Sequence, residues 1–378
     1  MLDRMNAGLP TSILVLEANL APTKRNRVRT RLEELGLDVR FVDGGAHPYF
    51  ELTGEDPALR TLAPESWPGV VQLVTLGSPH PHASRAAGED ELSTPTWVTL
   101  DPVVESDAGV SIGPGSFAYL AGPCAVEDAE VTLRLARAVA EAGATGFRAG
   151  AFKPRTSPYA FQGLEREGLA ILREVRAEIG LPVVTEVLDV RDIEAVAEVA
   201  DVLQVGSRSM QNYALLKELG RTRHPVLLKR GFAASYEEFL LAAEYILSAG
   251  NERVVLCERG VRTTSGSVLD LGAVPELRRR SHLPVVIDPS HGSGQRHRVL
   301  PLARAAAAVG ADGVLVEVHD RPERALSDGQ QAIDPAAFTQ LIRECNAVRA
   351  ALEGDGDGVG RRPDAEEDQP AGVGKDDR

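Results

Sequence analysis

Residues 146–162, GFRAGAFKPRTSPYAFQ, place Arg148, Lys153 and Arg155 within eight positions. Pro154 and Pro158 keep this stretch from becoming helix, because proline lacks an amide donor and clashes with the preceding turn. Such a trio suits a substrate with several anionic oxygens: arginine grips phosphate or carboxylate bidentately, and lysine adds a compact charge that can also move a proton. A basic loop by itself is more often a solvated surface. The same pattern recurs downstream. Arg208 in GSRS, Lys229 in LLKRG and Arg259 in CERG each follow a short apolar run, and six converging cations exceed what a neutral ligand needs. A second set offers different chemistry. Cys124 in AGPCAV, His291 in DPSHG, Glu317 in VEVH and Asp328 in LSDG supply thiolate, imidazole and carboxylates, a mixed sulfur, nitrogen and oxygen set suited to a divalent transition ion. Taken singly, a buried cysteine is usually a small core hydrophobe and a lone histidine a structural hydrogen-bonder.

The elements that must position these residues decide between the two readings. From residue 117 onward a strand-then-helix rhythm repeats about eight times. The strands fall at 117–122, 145–150, 182–187, 202–206, 225–230, 253–258, 284–288 and 313–318, and are rich in Val, Ile and Leu, as parallel strands covered on both faces must be. Helical spacing fills the gaps, as in Val131, Leu135 and Val139, or Leu240, Ala243 and Leu247. This predicts a (β/α)8 TIM barrel, whose active face lies at the C-terminal ends of the strands. The candidate residues stand at or just beyond those ends, a coincidence that surface decoration does not produce.

Ahead of the barrel, residues 12–77 read as β-α-β-β-α-β, with strands at 13–16, 37–42, 49–52 and 70–76 and helices at 24–35 and 58–62. That is the ferredoxin-like order. The expected α/β organisation is therefore a small α+β regulatory domain at 1–77, a linker and short strand pair at 78–115, the catalytic barrel at 116–353 and an acidic tail at 354–378. The strand pair falls near 97–104 and 110–112. The tail is too rich in Gly, Asp and Glu to bury a core and is expected to be disordered. His80 and His82 alternate with prolines on the linker, where exposure is the expected state rather than metal binding. The net charge of −14 argues against general nucleic-acid binding and makes a locally basic cleft more informative. No apolar run in the 378 residues is long enough to span a bilayer, and the N-terminus MLDRMNAG has no signal-peptide pattern, so a soluble, cytoplasmic protein is expected. Cys124, Cys257 and Cys345 are far apart and read as reduced thiols.

Taken together, AGPC124AVE, K153PRTSP, LLK229RG, CE258RG, D288PSHG, VE317VH and LSD328G resemble the type I (β-type) 3-deoxy-D-arabino-heptulosonate 7-phosphate synthases, in the variety with an N-terminal ferredoxin-like domain. The resemblance is dense over 117–338. It implies a transferase that condenses phosphoenolpyruvate with erythrose 4-phosphate at the first step of the shikimate pathway toward chorismate and the aromatic amino acids. It further implies that Arg148, Lys153, Arg208, Lys229 and Arg259 hold phosphoenolpyruvate, and that Lys153, Arg155 and Thr156 reach the aldose and its phosphate. One divalent ion, of Mn, Fe, Co or Zn, would sit on Cys124, His291, Glu317 and Asp328. Lys153 and His291 would be catalytic, with Lys153 a proton donor whose pKa neighbouring cations are expected to lower. A homo-oligomer, dimer or tetramer, and an aromatic end-product inhibitor at the N-terminal domain are implied as well. The related 3-deoxy-D-manno-octulosonate 8-phosphate synthases, which use arabinose 5-phosphate, typically read KANRS where this chain has KPRTS. Departures from the pattern are Ser207 and Ser209 beside Arg208, and a shortened segment 262–270 that lacks the usual aromatic and Thr-Arg-Asn. A class II aldolase has no need for the extra cations, and a catalytically silent paralogue has no chemical reason to keep all four metal ligands.

Overall fold

A computed structural model describes residues 12–18, 20–42, 48–53, 67–75, 80, 82–84, 95–100, 103, 109–264 and 266–353. The expected helix at 58–62, the turn at Gly44–Gly45, much of the expected linker and the tail at 354–378 lie outside the described residues. Two units are distinguished, Met1–Glu89 and Asp90–Arg378.

In the first unit, strands β1 (Ser12–Leu16), β2 (Asp38–Val42), β3 (Tyr49–Thr53) and β4 (Val70–Thr75) form one sheet in the order β2-β3-β1-β4. All its pairings are antiparallel. This is the order that a β-α-β-β-α-β chain generates, with the expected second helix falling among residues that are not described. The helix Pro22–Glu34 starts on a proline, which is preorganised for the first turn. It packs Val28 and Leu32 against Leu14, Leu16, Phe50, Leu52 and Trp67. One expectation is corrected. His80 is buried, only 6% exposed, with its Nδ1 2.7 Å from Ser84 Oγ; His82 is exposed.

The second unit is built on eight parallel strands: β7 (Ala118–Gly122), β8 (Gly146–Arg148), β9 (Val183–Glu186), β10 (Val202–Val205), β11 (Val226–Lys229), β12 (Val254–Glu258), β15 (Val285–Ile287) and β16 (Gly313–Glu317). They close into a barrel in that order. Every residue of β11, β12 and β16 is buried, which explains their unbroken apolar character. Helices between the strands carry their own start signals. Asp128 caps Ala129–Glu141 through Val131 N–H, and Ser235 with Glu238 forms a capping box on Tyr236–Leu247; both satisfy amides that the first turn leaves free.

The base of the barrel is closed by a hairpin of β5 (Val98–Leu100) and β6 (Val110–Ile112). Val98, Leu100 and Ile112 pack with Leu120, Val184, Leu227, Val255, Val286 and Leu315 from the strands. Just before the hairpin, Thr96 N–H bonds to His282 O and its hydroxyl lies 2.7 Å from His282 Nδ1. At the opposite end six of the eight strands stop one or two residues sooner than expected, while β7 and β12 end at Gly122 and Glu258 as read. The segment after β12, read from sequence only as a shortened stretch, is a second hairpin of β13 (Val261–Thr263) and β14 (Gly266–Val268).

Candidate active site and metal centre

One strand end, a turn, a loop and a short helix bring the mixed donor set together. Gly122 ends β7 at φ +153°, and a Cβ there would run into the Arg148 carbonyl, so only glycine lets the turn carrying Cys124 approach β8 this closely. Glu317 is the last residue of β16, Asp328 lies in the loop beyond it, and His291 sits in the short helix Pro289–Ser293 after β15. One ligand atom from each of Cys124, His291, Glu317 and Asp328 lies within 4.8 Å of the others. Cys124 Sγ is 3.0 Å from Asp328 Oδ2, and His291 Nε2 is 3.3 Å from Glu317 Oε1.

Neighbours fix the orientation of these ligands. Asp288 Oδ2 lies 2.8 Å from His291 Nδ1 and Asp288 Oδ1 accepts the His291 N–H, which turns Nε2 toward the cluster, as an outer carboxylate does for a metal-binding imidazole. Gln331 Nε2 donates to the second oxygen of Glu317 at 2.7 Å. Burial pushes the Cys124 thiol up to about 12, with the Glu317 carboxylate adding to the effect. Burial acts in the same sense on Asp288 and Glu317, yet His291 with Lys229, and His291 with Arg148, hold the two carboxyls below the usual range. A sulfur, a nitrogen and two oxygens, buried at Cys124 and Glu317 and half-buried at His291 and Asp328, with carboxylates held below their usual range, fit a divalent transition ion.

The cations line the adjoining cleft, about 450 Å³ in volume. Arg148 is buried and donates to Pro123 O and Glu317 Oε1. Lys153 Nζ donates to Cys124 O at 3.1 Å, and Lys229 Nζ to Asp288 Oδ2 at 2.7 Å. Arg155 donates to Ser327 Oγ and lies 3.6 Å from the Asp328 carboxylate. Arg208 donates to Thr156 Oγ1 at 3.2 Å, and Arg259 reaches Gly260 O. Thus all eleven residues singled out from the sequence face one region. Arg230, beside Lys229, is turned away onto Glu258, Asp270 and the Tyr236 ring.

One electrostatic expectation fails. Neighbouring cations were expected to lower the Lys153 pKa, but it is raised: burial depresses it and Arg148 acts in the same sense, yet interactions with Cys124, Glu186 and Glu317 together outweigh them. Lys153 therefore keeps its proton. Glu186 also lines the cleft and is 5% exposed, with no hydrogen-bond partner for its Oε1. Gly206 leaves room for that carboxylate, since a Cβ there would run into Oε1. Glu186 and Asp288 were visible as strand-end carboxylates; Gln331 and Phe232, which also line the cleft, carried no sequence signal.

Residues 101–352 match the DAHP synthetase I family. The chain belongs to that family. Over 343 residues it is 51% identical to a phospho-2-dehydro-3-deoxyheptonate aldolase of Thermotoga maritima, covering 90% of this chain and 98% of the relative. A 2-dehydro-3-deoxyphosphooctonate aldolase of Syntrophobacter fumaroxidans is 35% identical, covering 62% of this chain and 88% of its own. Among solved structures, phospho-2-dehydro-3-deoxyheptonate aldolase (DAHP synthase) from Thermotoga maritima superposes with a TM-score of 0.70 at 41% identity, covering 90% of this chain and 98% of that one. A truncated form of 3-deoxy-D-arabino-heptulosonate 7-phosphate synthase from Thermotoga maritima gives 0.61 at 46% identity, covering 67% of this chain and 92% of its own.

Proposed function

We propose that this member of the DAHP synthetase I family is a 3-deoxy-7-phosphoheptulonate synthase, joining phosphoenolpyruvate to D-erythrose 4-phosphate with release of inorganic phosphate. The observation that carries the reading is the junction of two chemistries in one cleft. Cys124, His291, Glu317 and Asp328 form a metal-type cluster, and a wall of arginine and lysine adjoins it. The 51% identity over nearly the whole chain supports the same reaction.

In this reading Arg148, Lys153, Arg208, Lys229 and Arg259 hold the phosphate and carboxylate of the enol substrate. Arg155 and Thr156 hold the aldose phosphate, and KPRTS in place of KANRS favours the four-carbon sugar. A carbon–carbon bond forms between the enol methylene and the aldehyde carbon, water adds at C2, and the C2–oxygen bond to phosphate then breaks. Cys124, His291, Glu317 and Asp328 would hold a divalent ion, which would supply Lewis acidity toward the aldehyde oxygen. Lys153, protonated and buried beside Cys124, hands its proton to the alkoxide. Its raised pKa does not prevent this, because an alkoxide is far more basic than an amine. Glu186 turns its unpartnered Oε1 to the water that adds at C2. Asp288 keeps His291 in the tautomer that presents Nε2.

The finer assignments complete the proposal. The ion is one of Mn, Fe, Co or Zn, the protein is a cytoplasmic homo-oligomer, dimer or tetramer, and residues 1–77 sense an aromatic end product. The test is phosphate release from phosphoenolpyruvate with erythrose 4-phosphate or arabinose 5-phosphate, with and without chelator. Release with the four-carbon sugar that chelation stops and a divalent ion restores is the expected result. Preference for arabinose 5-phosphate would reassign the sugar, release with neither would leave a silent paralogue, and full activity in metal-free protein would remove the ion from the chemistry.

A further inference from the structure

The cations of the cleft are not balanced alike. Arg148 is paired with Glu317, Lys229 with Asp288 and Arg155 with Asp328. At the other end, Arg208, Arg259 and Arg262 have no carboxylate within ion-pair distance among the described residues. They gather around Phe232 instead. Their guanidinium carbons lie 5.3, 4.7 and 4.6 Å from the centroid of that one ring. An aromatic face attracts cations through its quadrupole and offsets part of their mutual repulsion. Three like charges held so closely with no carboxylate ion-paired to them among the described residues suit an anion bearing more than one charge.

Arg262 is fastened to Phe232 twice. Its side chain lies by the ring, and its backbone N–H donates to Phe232 O at 2.7 Å. On the hairpin, Arg262 pairs with Ser267, so the two side chains share one face, and both line the cleft. The root of the hairpin is packed down: a Cβ on Gly260 would meet Val268 O and Gly292 Cα, at 2.9 and 3.0 Å. The shortened segment after β12 thus presents a charged side chain on a short, anchored ribbon.

We propose that Arg262 joins Arg208 and Arg259 as a third ligand to the phosphoryl group of phosphoenolpyruvate, and that Phe232 is the positioning residue that holds the three together. This rests on the reading that Arg208 and Arg259 bind the enol phosphate. The hairpin then takes part in substrate recognition in spite of its brevity.

The test uses the full chain loaded with its metal. Arg262→Ala should raise KM for phosphoenolpyruvate by about 10- to 100-fold, the usual effect of losing a charge-assisted hydrogen bond, and leave KM for the aldose unchanged. Competitive inhibition by inorganic phosphate should weaken in step. Phe232→Leu keeps an apolar side chain without the quadrupole and should raise the same KM by about three- to tenfold. Phe232→Tyr should restore it. The Phe232→Leu and Arg262→Ala effects should not add, because the ring acts partly through Arg262. A wild-type KM in Arg262→Ala would overturn the proposal, as would equal changes for both substrates. Additivity, or a Phe232→Tyr variant no better than Phe232→Leu, would remove the positioning role. If the wild type released no phosphate from phosphoenolpyruvate, the underlying reading would fail. Titration of both proteins with inorganic phosphate would then decide the anion site alone, with weaker binding by Arg262→Ala in its favour and equal binding against it.

Discussion

Cys124 shows how one residue couples metal retention to acidity. Its buried thiol, pushed up to about 12, is protonated across the working range when no ion is bound, so metal loading must expel that proton. Raising the pH therefore favours loading, and apparent affinity should fall about tenfold for each unit of acidification while this thiol alone titrates. Proton release in weakly buffered solution checks this: close to one proton per ion is expected, and none would take Cys124 out of the site. Cys124→Ser should lower metal content sharply, since a hydroxyl is a poor substitute for thiolate; a variant purified with full metal content would contradict the assignment. Arg155, bonded to Ser327 and near Asp328, tests the division of the cleft. Its replacement by alanine should raise KM for the aldose far more than for phosphoenolpyruvate, losing on the order of 2–5 kcal/mol, and initial rates with each substrate varied in turn would measure it. Much of this was legible in the sequence, because barrel topology sends strand-end residues to one rim. The raised pKa of Lys153 was not: it depends on Cys124, Glu186 and Glu317 arriving from other parts of the barrel, a proximity no spacing along the chain reports.

At the scale of elements, the barrel strands were legible as apolar runs, but the runs overstate them. Residues 145–150 suggested six positions and β8 keeps only Gly146–Arg148; Ala149 still bonds to Val184 O and Gly150 bridges Ala125, and the chain bends only at Ala151 and Phe152, before Lys153 turns back to Cys124. Of the two hairpins, the pair near 97–104 and 110–112 was legible, while β13–β14 was not, since a three-residue strand has too few positions for alternation to register. The β5–β6 hairpin matters for stability. Leu100 is 1% exposed and sits in the plug, so Leu100→Ala should destabilise the barrel by about 2–5 kcal/mol. Denaturant titration measures that loss, and kcat should be unchanged where the variant is still folded. A drop in kcat with no loss of stability would mean that the plug acts on the active face rather than on the fold.

For the whole molecule, the cleft and metal-cluster residues among the described residues lie between Cys124 and Gln331, within the second unit. A module without chemistry ahead of a committed biosynthetic barrel is well placed to bind an end product, an allosteric link between two sites. A chain beginning at Val98 would break the bonds from Thr96 to His282, so the cut belongs before Pro95. The shortened protein should keep synthase activity and escape inhibition by tyrosine, phenylalanine, chorismate or prephenate. Dose–response curves for both lengths check this. Equal inhibition of the two, or none of the full chain, would leave the unit a role in assembly. The plug at the base carries a further consequence. With the barrel axis filled from below by Val98, Leu100 and Ile112, two substrates and two products share the mouth at the opposite end of the described barrel. Whichever molecule lies deepest must be first in and last out, so traffic through the mouth imposes a queue on the reaction, and a product lingering there would block both incoming partners at once.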